Sequence, residues 1–145
     1  MHEIIEKALK ESRFKPVESD HQATGLHCHI HIEPVDMEGF VFCMRDHGFF
    51  LELITAIDLI EENEIEGLYV FNHYQGPARI AARIKTARDN PVLPSIGSIY
   101  PGAVWHERET AEFFGITFEG SMDTRHLLLP EDFAFHPLRK NFKAI

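Results

Sequence analysis

The residues Leu26-His27-Cys28-His29-Ile30-His31-Ile32 hold three of the chain's ten histidines and one of its two cysteines. Neutral imidazole is the commonest metal ligand and thiolate is a strong one, so the stretch raises the question of a metal-dependent enzyme. The alternation of apolar and polar residues argues a half-buried strand. Successive strand side chains point to opposite faces. Leu26, Cys28, Ile30 and Ile32 then face a core, while His27, His29 and His31 face away from it, so Cys28 is no co-ligand of the histidines. Two histidines at i and i+2 can share a metal, but a catalytic site needs a third ligand and usually a carboxylate base. The alternative reading, a small His-ligated metal-dependent enzyme, therefore rests on His27, His29 and His31 with His73 as the added ligand. The run His106-Glu107-Arg108-Glu109-Thr110 fails as a zinc-protease helix, because Thr110 stands where the second histidine is needed. There is no phosphate loop, dinucleotide fingerprint or nucleophile elbow. Two cysteines are too few for an iron–sulfur cluster and form neither a disulfide framework nor a zinc motif.

The elements that must position these residues follow from pattern. Residues 3–12 are amphipathic and predict a helix; residues 25–33 predict the histidine strand. A helix over 36–46, with Asp36 near its N-cap, places Phe40, Cys43 and Met44 on one face. Residues 67–74 and 78–86, separated by the turn residues Gln75-Gly76-Pro77, predict a hairpin. Pro91 and Pro94 force an extended connector, because residues before proline avoid the α region. "AVWHERETAEFFG" predicts a helix closed by Gly115 as C-cap. Val104, Ala111 and Phe114 fall near its buried face, and Arg108 and Glu112, at i and i+4, can pair. "FFLELITAIDLIEENE" is ambiguous between helix and strand. The segment after Gly120 has no sustained period and predicts an extended arm that needs a surface to lie on.

A chain of 145 residues fits one domain. Its net charge of -9 disfavours nonspecific nucleic-acid binding. No run approaches the roughly eighteen apolar residues of a membrane span. The first residues lack the apolar core of a signal peptide, which predicts a cytoplasmic chain without direct membrane insertion. The locally basic Arg139-Lys140-Asn141-Phe142-Lys143 suggests docking on an acidic partner surface.

The C-terminal third carries a longer signature. It runs Pro94-Ser95-Ile96, Trp105, Glu107-Arg108-Glu109, Phe114-Gly115-Ile116, Phe118-Glu119-Gly120, Leu127-Leu128-Leu129, Glu131-Asp132-Phe133 and Pro137-Leu138-Arg139-Lys140. In order and spacing this resembles the 30-kDa subunit family of respiratory NADH:quinone oxidoreductase (complex I), also called its C subunit. It also resembles the related subunits of energy-converting hydrogenases of the Ech and CO-induced types. The chain departs from that pattern at Ser121-Met122, where the family usually has His-Pro, at His126, often arginine, and at Phe133, usually tryptophan.

The resemblance implies an α/β (α+β) fold, a small mostly antiparallel sheet with helices packed on it, and it assigns residues 50–58 to a strand. It implies one domain over residues 1–120 and a docking arm over 121–145. It implies a non-catalytic assembly subunit, peripheral and on the cytoplasmic side of the membrane. No cofactor is expected on this chain; the iron–sulfur, nickel–iron or quinone sites belong to the large catalytic subunit and the iron–sulfur small subunit that are its expected partners. The residues expected to dock are Trp105, Glu107, Arg108, Glu109, Arg125, Asp132, Phe133, His136, Arg139 and Lys140, because arginine and aromatic side chains dominate interface hot spots.

Overall fold

The structure, a computed structural model, describes residues 1–144. Among them the order is α1 (Glu3–Leu9), β1 (Val17–Glu18), α2 (His21–Thr24), β2 (Cys28–His31), α3 (Met37–Asp46), β3 (Phe49–Leu59), β4 (Glu64–His73), β5 (Ile80–Ala87), β6 (Val92–Pro94), α4 (Ala103–Phe114) and β7 (Thr117–Glu119). Five strands form one sheet in the order β1-β2-β5-β4-β3. β3, β4 and β5 are an antiparallel meander, and β2 joins β5 in parallel. β6 and β7 pair in parallel as a separate small sheet.

The α+β class, the hairpin and the C-terminal helix match what the sequence predicts. The ambiguous stretch is a strand. Pairing of Phe49–Leu59 along β4 outweighs the helical leaning of its Leu and Ala residues, because strand preference is mostly a matter of packing against neighbours. Asn63, in the left-handed region at φ 54°, closes the turn into β4; its short polar side chain tolerates that conformation.

The registers put Cys28 and Ile30 of β2, Ile80, Ala82 and Ile84 of β5, Ile65, Tyr69 and Phe71 of β4, and Ile54, Ala56 and Asp58 of β3 on one face. The helices cover that face. Ile5 and Leu9 of α1, Met37, Phe40, Val41 and Met44 of α3 and Phe114 of α4 join its core. Phe40 stands edge-on to Phe71 at 5.9 Å. The opposite face carries Glu66–Arg83 at 3.1 Å and Glu64–Lys85 at 3.4 Å. The outer edge, β3, is partly covered. Thr110 Oγ1 donates to the Ile54 carbonyl at 3.2 Å and Tyr100 Oη to that of Phe49 at 2.7 Å, which occupies acceptors that a stray strand could otherwise use.

Several expectations are corrected. The first helix stops at Leu9, whose carbonyl accepts both the Ser12 amide and its Oγ; a local side-chain bond competes with the helix. The strand over 25–33 shortens to Cys28–His31. Asp36 precedes α3 but makes no capping bond, because Arg13 takes its carboxylate. The expected connector is β6, paired with a strand after α4. The buried stripe of α4 is Ala103, Glu107, Thr110 and Phe114, while Val104 and Ala111 are only partly covered. β1 and α2 carry too few residues for periodicity to reveal.

Gly67 marks the tightest point of the sheet–helix layer. A Cβ there would lie 2.6 Å from Leu93 Cδ1 and 3.3 Å from Tyr69 Cε2, and both residues are fully buried. Gly67→Ala should therefore destabilise by about 1–3 kcal/mol through overpacking. Urea denaturation checks this; an unchanged midpoint would show that Leu93 can move aside at no cost.

Candidate functional site

Two of the three histidines of "LHCHIHI" are hydrogen-bonded within the chain, while His31 is exposed and stands edge-on to His29 at 5.4 Å. His27 accepts the Arg79 amide on Nδ1 at 3.0 Å and stacks on His21 with centroids 4.1 Å apart. Partial burial, then the neighbouring His21 and His2, hold the His27 pKa below its ordinary value. His29 bonds Ser19 Oγ through Nδ1 at 3.0 Å. Cys28 is fully buried on the core face, and burial pushes its thiol up to about 12. His73, at the end of β4, accepts the Gln75 amide on Nδ1 and donates from Nε2 to the His47 carbonyl, so both its nitrogens are occupied. Among the described residues no group of three or more His, Cys, Asp or Glu side chains is placed to hold a metal ion.

The polar groups that converge lie along α4 and the segment after Gly120. Glu107 is buried, and its carboxylate accepts Ser95 Oγ and the Ile96 amide, each at 2.7 Å. Next in sequence, Arg108 reaches the other way. It donates to the carbonyls of Arg125 at 2.9 Å and His126 at 2.8 Å, with Asp123 at 3.6 Å. Glu112, also buried, accepts three successive amides, those of Leu127, Leu128 and Leu129, at 2.9, 2.8 and 3.3 Å. A buried carboxylate is costly unless hydrogen-bonded, and here backbone N–H groups supply the bonds.

The end of α4 is held in the same way. A helix leaves its last four carbonyls without intrahelical partners. Gly115, left-handed at φ 75°, donates its amide to Ala111. The remaining three carbonyls are met by the returning chain. His136 donates from Nδ1 to Glu112 O at 3.0 Å, the Leu138 amide to Phe113 O at 3.0 Å, and Arg139 Nε to Phe114 O at 2.7 Å. The positive Arg139 also suits the negative end of the helix dipole. Only glycine fits at 115: a Cβ would fall 2.7 Å from the His136 ring as well as in a strained conformation. Beyond it, the Lys140 amide donates to Asp58 Oδ2 at 2.9 Å; Asp58 is buried and also takes Arg88 on both oxygens, at 2.7 and 2.9 Å. Arg88 holds the Asp58 carboxyl below its ordinary pKa. For Glu107 burial outweighs its two hydrogen bonds and raises the value.

The segment after Gly120 is thus a strap bound along α4. The surface that the expected arm needs is supplied, over much of its length, by the chain's own α4. Of the residues predicted to dock, Glu107 is internal. Arg108, His136 and Arg139 are committed to carbonyls of the strap or helix, and Phe133 is half-buried. The predicted Arg108–Glu112 pair is absent among the described ion pairs because each side chain holds a different part of the strap. Trp105, Glu109, Arg125, Asp132 and Lys140 are exposed, and the Arg108 guanidinium lies 5.3 Å from the Trp105 ring centroid. The sequence reading missed Met122, Leu128 and Leu138 as surface residues; with Trp105 and Phe135 they are each more than half exposed. An irregular segment with three consecutive leucines gives no periodicity from which to read the outward one.

The last helix of this α+β domain thus carries a strap, with several polar groups turned in and Trp105, Met122, Leu128, Phe135 and Leu138 turned out. The chain belongs to the respiratory-chain NADH dehydrogenase 30-kDa subunit family, whose model matches residues 30–145. It is 38% identical over 97 residues to the C subunit of the NADH-quinone oxidoreductase of Moorella thermoacetica, covering 66% of each chain. It is 33% identical over 117 residues to that of Roseiflexus castenholzii, covering 77% of this chain and 67% of the relative. It is 33% identical over 92 residues to the C subunit of the F(420)H(2) dehydrogenase of Methanosarcina mazei, covering 63% and 58%. The chain therefore spans about two thirds or less of these relatives' length. The fold is shared with a chain of the membrane-bound sulfane sulfur reductase, described as an archaeal respiratory membrane complex, at TM-score 0.81 and 24% identity over 97% of this chain and 84% of that one. It is shared also with a trypsin-resistant fragment of Nqo5, at TM-score 0.68 and 22% identity over 83% and 98%. Among the described residues no helix is long and apolar enough to cross a membrane.

Glu112→Ala should free the strap, leaving three amides without their acceptor at a cost of about 1–3 kcal/mol. Hydrogen exchange should accelerate at residues 125–129 while β4 and β5 stay protected; equal acceleration everywhere would show that the strap is not a separable unit. Asp58 gives a pH dependence of definite sign. Its folded pKa lies below the unfolded one, near 3.9, so its stabilisation is present above the unfolded value and lost as pH falls through the folded value. Urea midpoints from pH 5 downward should fall less steeply for Asp58→Asn than for the unaltered chain. Parallel slopes would remove Asp58 as the source.

Proposed function

We propose that this chain is a non-catalytic, peripheral assembly subunit of a membrane-bound multisubunit redox complex and that it docks on the large catalytic subunit through the outer surface of α4 and the strap. The electron donor is NADH or F420H2 with quinone as acceptor, or the complex is an energy-converting nickel–iron hydrogenase. In either case the redox centres reside on the large subunit and the iron–sulfur small subunit, and this chain holds no cofactor of its own. It sits on the cytoplasmic side. The supporting names are those of the relatives, which are subunits of NADH-quinone oxidoreductases and of an F(420)H(2) dehydrogenase.

The observation that carries the docking reading is the division of labour on the strap. The amides of Leu127, Leu128, Leu129 and Lys140 and the side chains of His136 and Arg139 are held by α4 and Asp58, yet Trp105, Leu128, Phe135 and Leu138 remain more than half exposed. Exposed apolar and aromatic side chains gathered on one ordered segment and its helix mark an interaction surface. Because the strap is already ordered, less conformational entropy is lost on association.

The test is an affinity pull-down of the tagged chain from detergent-solubilised membranes of its native host. The unaltered chain should retrieve a large catalytic subunit and an iron–sulfur subunit. Trp105→Ala and Leu128→Ala, both at exposed positions, should lower that recovery by about tenfold, the effect of a single moderate hot spot. Retrieval of no redox subunit, or full recovery with both variants, would defeat the reading.

A further inference from the structure

At the far end of the strap the chain folds round an open cleft of about 710 Å³, lined by Phe133, Phe135, His136, Arg139, Phe142 and Lys143 among others. Resting on the assembly reading, we propose that this cleft seats an acidic, apolar-anchored segment of a neighbouring subunit, with an aliphatic or aromatic side chain entering among the three phenylalanines and a carboxylate meeting Arg139 and Lys143.

The cleft has the size of sites that bury a compact ligand or a few side chains. Its aromatic wall is built. Phe133 and Phe135 meet edge-on at 5.7 Å and 78°, and Phe142 lies 6.4 Å from Phe135 at 53°. Both ends of the wall are tied to the domain or to adjacent turns. The Phe133 amide bonds Pro130 O at 3.0 Å and the Phe142 amide bonds Arg139 O at 3.0 Å. Asn141 accepts from Arg88 at 3.0 Å, and the Lys140 amide is held by Asp58. Among the described residues the three rings leave apolar surface open to the cleft, and an entering side chain would remove it from water.

The charge argument selects the occupant. Arg139, Lys140 and Lys143 form no ion pair among the described residues, whereas most of the chain's other arginines are matched to a carboxylate. Arg139 feels burial and the neighbouring Arg88, which together depress its pKa. The hollow thus has an excess of positive charge beside an apolar floor. A carboxylate on an apolar segment matches both, and Arg can take it bidentately. An anionic membrane surface offers the same charge but fits less well. The whole chain carries -9 and would be repelled by an extended anionic sheet, while a short segment in the cleft senses only charges within a Debye length of about 8 Å. A concave wall also suits an inserted side chain better than a plane of headgroups.

The test uses the complex as purified. Benzoylphenylalanine placed at position 135 is photolysed and the adducts are identified by mass spectrometry, and Phe135→Ala and Lys143→Glu are scored for co-purified subunits. The expected result is an adduct on an Asp- or Glu-rich apolar segment of a neighbouring subunit. Each variant should then lose about tenfold in recovery with an unchanged melting temperature. Adducts only within this chain or to phospholipid, or full recovery by both variants while the unaltered chain brings its partners, would overturn the cleft and leave the assembly reading standing. An unaltered chain that retrieves no partner would overturn both.

Discussion

Helix α4 sets the constraint on which the C-terminal half depends. It buries two carboxylates, Glu107 and Glu112, and ends with carbonyls that its own turns cannot satisfy. Buried ionised groups and orphan carbonyls cost free energy unless each finds a donor. The donors come from two places: the Ser95-Ile96 turn before the helix, and the strap that returns after it. The strap's course is therefore dictated at each step by what the helix lacks. That accounts for an irregular segment of about twenty-five residues lying in one place without secondary structure of its own.

The scattered signature of the C-terminal third turns out to be one network. Ser95 meets Glu107. Arg108 meets the backbone of Arg125 and His126, and Glu112 meets the three leucines. The last turn before Gly115 meets His136, Leu138 and Arg139, and Lys140 closes on Asp58. Residues that read as a charged docking face, Glu107, Arg108 and Arg139, bind other parts of the chain, and Lys140 is held there by its amide. Surface charge pairs contribute little, whereas these are largely shielded from water and bond to backbone. The outward chemistry falls to residues between them: Trp105, Leu128, Phe135 and Leu138. Polar groups hold the strap, and these apolar groups stay exposed.

Packing separates the residues of "LHCHIHI". Cys28 belongs to the core and His27 to an Arg79 amide, and His73 uses both ring nitrogens within its own chain. The alternation that made the histidines conspicuous is the same alternation that puts His29 and His31 on the face opposite Cys28 and Ile30. What the alternation could not convey was the parallel pairing of β2 with β5, since pairing partners fifty residues apart leave no local trace.

From residue order alone came the β4–β5 hairpin and the α4 helix with its glycine cap, and, through resemblance, the fold class, the strand assignment of residues 50–58 and the family. The hairpin and the helix rest on short-range rules: periodicity, turn residues, and the left-handed conformation that glycine adopts freely at 115. The direction of individual side chains was decided by tertiary structure. Glu107 and Glu109 are both glutamates on one helix, yet one is buried against the Ser95 turn and the other faces water. Helix positions i and i+2 point about 200° apart, so the side that meets a donor depends on where the strap and the turn pass, and that is set by distant chain. The sequence determined which groups would need partners; only the folded chain decided which partners were its own and which side chains stayed exposed.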